Sequence, residues 1–268
     1  MKKLVIVGLF IAAIGALAQE PQGDRVTVPF SDPSRPKALH ASLINGSITV
    51  RGYDGKDAII ETTGRHHQPA RAEGLRRIDT GATGLAVEES DNVITVGTHM
   101  PSNSLNLIIQ VPVDTSLKLH LINGGGITVD HISGDVEIDD TNGNATATHI
   151  TGAAVVHALN GKVLVTLDRA TPNKAMSFSS LNGDIDVTLP ADIKARLKLK
   201  SDNGAVYSDL DITMDPSARK PVLEENNSGK GKYRVKFDHT MYGLVNGGGP
   251  EIQLTTFNGN IYLRKPKQ

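Results

Sequence analysis

Cysteine is absent from the 268 residues, which excludes disulfides, thiolate metal centres and a lipid-acceptor cysteine. Tryptophan is absent as well, and aromatic residues make up only 4% of the chain. That removes base-stacking platforms and weakens the case for a sugar-stacking lectin site. Neither sign of charge dominates: 28 Lys and Arg against 29 Asp and Glu give a formal net charge of -1. Because these charges are interspersed, there is no electrostatic footprint for nucleic acid or an anionic membrane. No apolar run approaches the roughly 18 residues of a spanning helix. The sequence also lacks a Gly-rich phosphate loop with a following Lys-Ser/Thr, a GxSxG elbow and an HExxH pair, so no cofactor is expected. Stability is left to hydrogen bonding and to a narrow core of aliphatic side chains.

The N-terminus carries an address. Lys2 and Lys3 precede an apolar run from Leu4 to Leu17, and Ala16-Leu17-Ala18 has the small-x-small form of a signal-peptidase site. Residues 1–18 thus read as a cleaved signal peptide that directs export to the periplasm or the exterior. Residues 19–268 read as a single domain. The 27 glycines, with abundant Thr, Val and Ile and few segments of helical period, point to an all-β fold.

Glycine spacing carries the organisation. Gly124, Gly134, Gly143, Gly152 and Gly161 are 10, 9, 9 and 9 residues apart, and alternate members are Asn-Gly pairs: Asn123-Gly124, Asn142-Gly143 and Asn160-Gly161. The unit is therefore about 18 to 22 residues, built of two half-turns. Asn182-Gly183, Asn203-Gly204 and Asn258-Gly259 continue it, with looser members at Asn45-Gly46 and Asn246-Gly247. After each glycine comes a short strand of period two, such as Ile127 and Val129, Val163 and Val165, or Ile185 and Val187. At the turns, Gly or Asn is expected to supply positive φ.

Two architectures accommodate this pattern. Asn-Gly between alternating strands signals a type I′ hairpin and an antiparallel β-sandwich. The alternative is a right-handed parallel β-solenoid, or β-helix, in which each strand pairs with one about 18 residues later and the asparagines form a ladder. Column agreement favours the solenoid: Leu119, Ile138, Val156, Phe178 and Leu199 all stand four residues before a turn Asn. Caps are expected at both open ends, from residues of about 22 to 40 and from the Arg264-Lys265-Pro266-Lys267 tail. The register lapses at about 57–100 and 215–232, which read as insertions.

The runs IIQVPVDTSLKLHLINGGGITV, IDVTLPADIKARLKLKSDNGAVYSDL and LVNGGGPEIQLTTFNGNIYL share a Val/Leu-Pro, alternating strand, Asn-Gly, strand order. In this the chain resembles the bacterial putative-adhesin family, exported β-solenoid domains of unknown function, over residues 38–60 and 105–265. The resemblance implies a solenoid and surface attachment, and brings no catalytic residues with it.

Candidate sites come from column reasoning. His120, Asp139 and His157 each stand three residues before a turn Asn, and in a parallel coil would share one outer column able to hold Zn²⁺ or another transition ion. The plainer reading is a solvated ladder of alternating charge. His131 and His149, three before the intervening glycines, form a second column, while His66 and His67 fall in a loop. Asp184 and Asp186, about 7 Å apart on one strand face, are the best carboxylate pair for a polysaccharide lyase or hydrolase. No surrounding cleft or basic cluster accompanies them. The sequence thus reads as a non-enzymatic, adhesin-like envelope protein that presents an extended surface to a protein or glycan. A polysaccharide-active enzyme and a structural scaffold are the alternatives.

Overall fold

In the computed structural model of the chain, residues 24–65, 84–98, 104–169, 171, 173–215, 222–224, 234–236 and 240–266 are described. Residues 1–18 and His66-His67 lie outside the described residues. Two long strands set the geometry. β2 (Ala38–Tyr53) and β7 (Ser116–Ile132) each run along one face, turn a corner at their Asn-Gly pair and continue along a second face.

On the first face the spatial order is β4 (Leu85–Ser90), β5 (Val93–Thr98), β2, β7, β8 (Val136–Asn142), β10 (Ala154–Ala158), β12 (Met176–Asn182), β20 (Glu251–Asn258), β14 (Ala195–Asn203), β19 (Met241–Val245) and β16 (Ile212–Met214). On the second it is β1 (Arg25–Val28), β3 (Ala58–Arg65), β6 (Ser104–Pro112), β2, β7, β9 (Ala145–Ile150), β11 (Val163–Leu167), β13 (Ile185–Thr188), β21 (Ile261–Arg264) and β15 (Val206–Ser208). Every pairing between β5 and β14 on the first face, and between β6 and β15 on the second, is parallel. The chain is an all-β parallel solenoid, and the Asn-Gly pairs are its corners instead of hairpin tips. A separate antiparallel pair joins β17 (Val222–Glu224) to β18 (Arg234–Lys236).

The coil follows from side-chain alternation. Leu119, Ile138, Val156 and Phe178 lie in register on consecutive strands and are all but completely buried. Each such side chain contributes about 1.5–3 kcal/mol by leaving water. Cutting Phe178, the largest of the fully buried residues, to Ala removes about 3–5 kcal/mol.

Strand order departs from chain order at both ends. Leu254 pairs with Phe178 on one side and Leu199 on the other, so the last coil in sequence lies inside the penultimate one. Likewise β2 sits between β7 and the later strands β5 and β6. The Arg264-Lys265 tail therefore does not blunt an open end: β21 is flanked by β13 and β15, and β14 is covered by antiparallel β19. At the other end β1 does form an edge, but residues from Ala38 onward belong to an interior coil. The segment 57–100 includes β3 and β5, which pair directly into the two faces. In the segment 215–232, Val222–Glu224 forms one strand of the separate pair.

The corner is held by a ladder of asparagine amides. Asn123 donates to Asn45 at 3.4 Å, Asn142 to Asn123, Asn160 to Asn142, Asn182 to Asn160 and Asn258 to Asn182 at 2.8 Å, and Asn203 to Asn258 at 2.9 Å. The glycine that follows is required chiefly by crowding. A Cβ on Gly161 would stand 1.8 Å from the carbonyl oxygen of Gly143. Positive φ is confined to part of this column, as at Gly124 (φ +141°), so backbone contact between coils explains the series better than turn conformation does. Asn246, by contrast, lies off the ladder, in a tight turn at φ +49°, and donates to the carbonyls of Ala191 and Ile193.

Candidate functional site

Outward columns place His120, Asp139 and His157 side by side on β7, β8 and β10. Their side chains do not converge. His120 Nδ1 lies 3.7 Å from Asp139 Oδ2, whereas His157 Nδ1 turns to Ser179 Oγ at 2.8 Å. The column continues into a serine, Ser179, on the next strand.

The other histidine pair is brought together, around a carboxylate whose part in it the column reading missed. Along the second face Val129 pairs with Ala147 and Ala147 with Val165, and Ile132 pairs with Ile150 and Ile150 with Leu167. Two residues thus separate the flanking positions in β7 and β9, but only Thr166 does in β11. The extra residues are His131 and His149, stacked β-bulges that both adopt left-handed backbone, φ +57° and +53°. Bulges re-aim side chains, and here the two imidazoles stack with centroids 4.4 Å apart and planes 25° from parallel.

Asp130 sits between them. His131 Nδ1 is 2.7 Å from Asp130 Oδ2, His149 Nδ1 is 2.8 Å from Oδ1, and Thr148 Oγ1 donates to Oδ1 at 2.9 Å. Burial works to raise the Asp130 carboxyl, but the hydrogen bonds from His149, His131 and Thr148 outweigh it and hold the group at about 2. Among the described residues these three alone gather metal-ligating atoms, all within 4.8 Å of one another. A sequence signal was present: a His three residues before an intervening glycine in successive coils, with Asp immediately before the first.

Asp184 and Asp186 are engaged by the scaffold. Asp184 Oδ1 accepts the Asn260 backbone N–H at 2.8 Å, as Asn144 accepts from Lys162 and Asn260 from Ala205. Asp186 is held by Arg264 Nε at 2.8 and 3.0 Å. An open recess of about 340 Å³ lies elsewhere, lined by Arg169, Lys174, Asp192 and Lys194 among others. Lys174 there is paired to Asp135 at 2.6 Å.

The remaining outer surface is apolar in places. One residue before five of the seven ladder asparagines stand Ile44, Ile122, Leu159, Leu181 and Phe257, with Thr141 interrupting the row and Asp202 ending it; Ile44, Leu181 and Phe257 are 39%, 41% and 46% exposed, while Ile122 and Leu159 are half-buried. On the second face Tyr207 stacks on Tyr262 with centroids 5.3 Å apart. Among the described residues no helix is long and apolar enough to cross a membrane.

No family model matches the sequence, and no curated protein matches it. Among solved structures, a putative cell adhesion protein from Clostridium sporogenes aligns with a TM-score of 0.43 at 12% identity, over 91% of this chain and 100% of that one. A putative adhesin from Bacteroides fragilis aligns with a TM-score of 0.39 at 12% identity, over 92% of this chain and 98% of the other.

Proposed function

We propose that the chain is an exported, non-enzymatic, adhesin-like protein whose outer faces bind a protein or glycan of the cell envelope. The observation that carries this reading is the apolar strip of Leu159, Leu181 and Phe257 along the asparagine corner. Leu159, Leu181 and Phe257 stand on three adjacent coils, the last two exposed, beside a line of amide groups, and such an apolar strip is what a partner covers and water does not favour. The stacked Tyr207 and Tyr262 add an aromatic surface of the kind enriched in interfaces. The carboxylate pair of the enzymatic alternative is tied into backbone and arginine contacts, which leaves it without a free acid and base. The signal-like segment 1–18 supports export.

Sedimentation of the purified protein with cell-envelope fractions tests the reading. Binding is expected, and it should weaken when Leu181 and Phe257 are both replaced by Ser while the melting temperature stays put. Absence of binding, with turnover of an envelope polysaccharide in its place, would select the enzymatic alternative.

A further inference from the structure

The stacked bulges supply more than a surface. We propose that Asp130, His131 and His149 form a binding site for a divalent transition ion of the Zn²⁺ or Cu²⁺ kind. Two imidazoles and one carboxylate are a donor set that suits such ions and not Ca²⁺ or Mg²⁺, which take oxygen ligands. The three side chains converge from two adjacent coils with their ligand atoms within 4.8 Å.

The backbone argues in the same direction. Left-handed φ at a residue other than glycine costs about 1–2 kcal/mol, and at a bulge glycine or asparagine would relieve it. The chain instead places histidine there twice, in register, where it projects two rings over one carboxylate. Ile132 and Ile150, buried immediately after the bulges, fix where those rings emerge. Thr148 Oγ1 orients the carboxylate from the side, the outer-shell role such sites rely on.

The distances are those of a site closed by protons. Adjacent ligand atoms around a tetrahedral ion with bonds of 2.0–2.1 Å stand about 3.3 Å apart. The present N···O distances, 2.7 Å from His131 to Oδ2 and 2.8 Å from His149 to Oδ1, are shorter, so the rings must move apart from the carboxylate to admit an ion. At 52% and 50% exposure the two rings have room to do so. Binding through Nδ1 leaves each ring with its proton on Nε2, facing solvent. The fourth position faces water, and Arg51, whose Nε is 3.8 Å from Asp130 Oδ2, would swing away along its exposed stem.

The test is titration of the purified protein with Zn²⁺ by calorimetry and with Co²⁺ by visible absorption. One ion per chain is expected, with intense tetrahedral Co²⁺ bands. Replacing both His131 and His149 by Asn, which tolerates the left-handed backbone, should weaken this binding at least about 100-fold, since outer-shell changes alone cost 10- to 100-fold. Circular dichroism should confirm that the variant is folded. The pair His120→Gln and His157→Gln should leave the affinity unchanged. Equal affinities for the wild type and the His131→Asn/His149→Asn variant, or loss of binding in the His120→Gln/His157→Gln variant alone, would overturn the assignment.

Discussion

Asp140 occupies in its coil the position that Ser180 occupies two coils further on, with Ala158 between them. Ser180, Thr256 and Ser201 fill this inward column and each donates its hydroxyl to the glycine carbonyl of the neighbouring turn, Gly161, Gly183 and Gly259. Asp140 is fully buried, and neither side-chain oxygen reaches a hydrogen-bond partner. Burial pushes its carboxyl up to about 6, the nearby backbone N–H groups of Asn142 and Ile127 offset this in part, and the charge of Asp139 adds to it.

The folded state therefore holds a proton that the unfolded chain releases above its ordinary value of 3.8. Stability is full below that value, falls as pH rises to about 6 and stays lower beyond it, by a total on the order of 3 kcal/mol. Asp140→Ser removes the penalty and installs the donor used by its column. Urea unfolding at pH 8 should show the variant more stable by about that amount, and at pH 4 the gap should close. A gap independent of pH would show that Asp140 is ionised and satisfied in the fold.

The asparagine ladder gives a graded effect. Asn160 donates to Asn142 and accepts from Asn182, whereas Asn203 stands at the end and makes one ladder bond. At about 0.5–1.5 kcal/mol per bond, Asn160→Ala should lose about 1–3 kcal/mol and Asn203→Ala about half as much. Thermal unfolding of the two variants measures the ratio. Equal losses would mean that the amides serve local turn geometry and not contact between coils.

Glycine substitutions separate two reasons for glycine. Ala at Gly161 drives a methyl group into the Gly143 carbonyl at 1.8 Å, while Ala at Gly247 meets nothing within 4 Å and bears only the strain of φ +83°. Gly247→Ala should cost about 1–2 kcal/mol. Gly161→Ala should cost several times that or prevent folding, as the soluble yield and melting temperature of each will show.

The solenoid was legible because burial repeats in register: Leu119, Ile138 and Val156 announce neighbouring strands by matching side chains and turn distance. The asparagine ladder followed from the same logic. What stayed hidden depends on order along the axis. Nothing in Phe178 or Leu199 tells that Leu254 lies between them, since aliphatic neighbours are interchangeable to a column. The His131 and His149 bulges were visible as a spacing coincidence, but column reasoning treats every outward residue as parallel. It could not show that an extra residue in left-handed backbone turns both rings toward Asp130. It brought His120, Asp139 and His157 into one column, where backbone register is met but side-chain direction is not.

The interleaved last coil makes the C-terminal residues indispensable. In a solenoid stacked in chain order, removing the final coil exposes one new edge and leaves the rest intact. Here, removal of residues 251–268 withdraws β20 and β21 from between β12–β13 and β14–β15. Phe178 and Leu199 then face a gap one strand wide, about 4.8 Å, and four strand edges lose their partners. The truncated chain should lose cooperative unfolding or remain insoluble, where the full chain melts in a single transition. Hydrogen exchange should show slow amides in Met176–Asn182 and Ala195–Asn203 of the full chain becoming fast. A truncated chain that melts as sharply as the full one, with those amides still protected, would place β14 directly against β12 and refute the interleaved order.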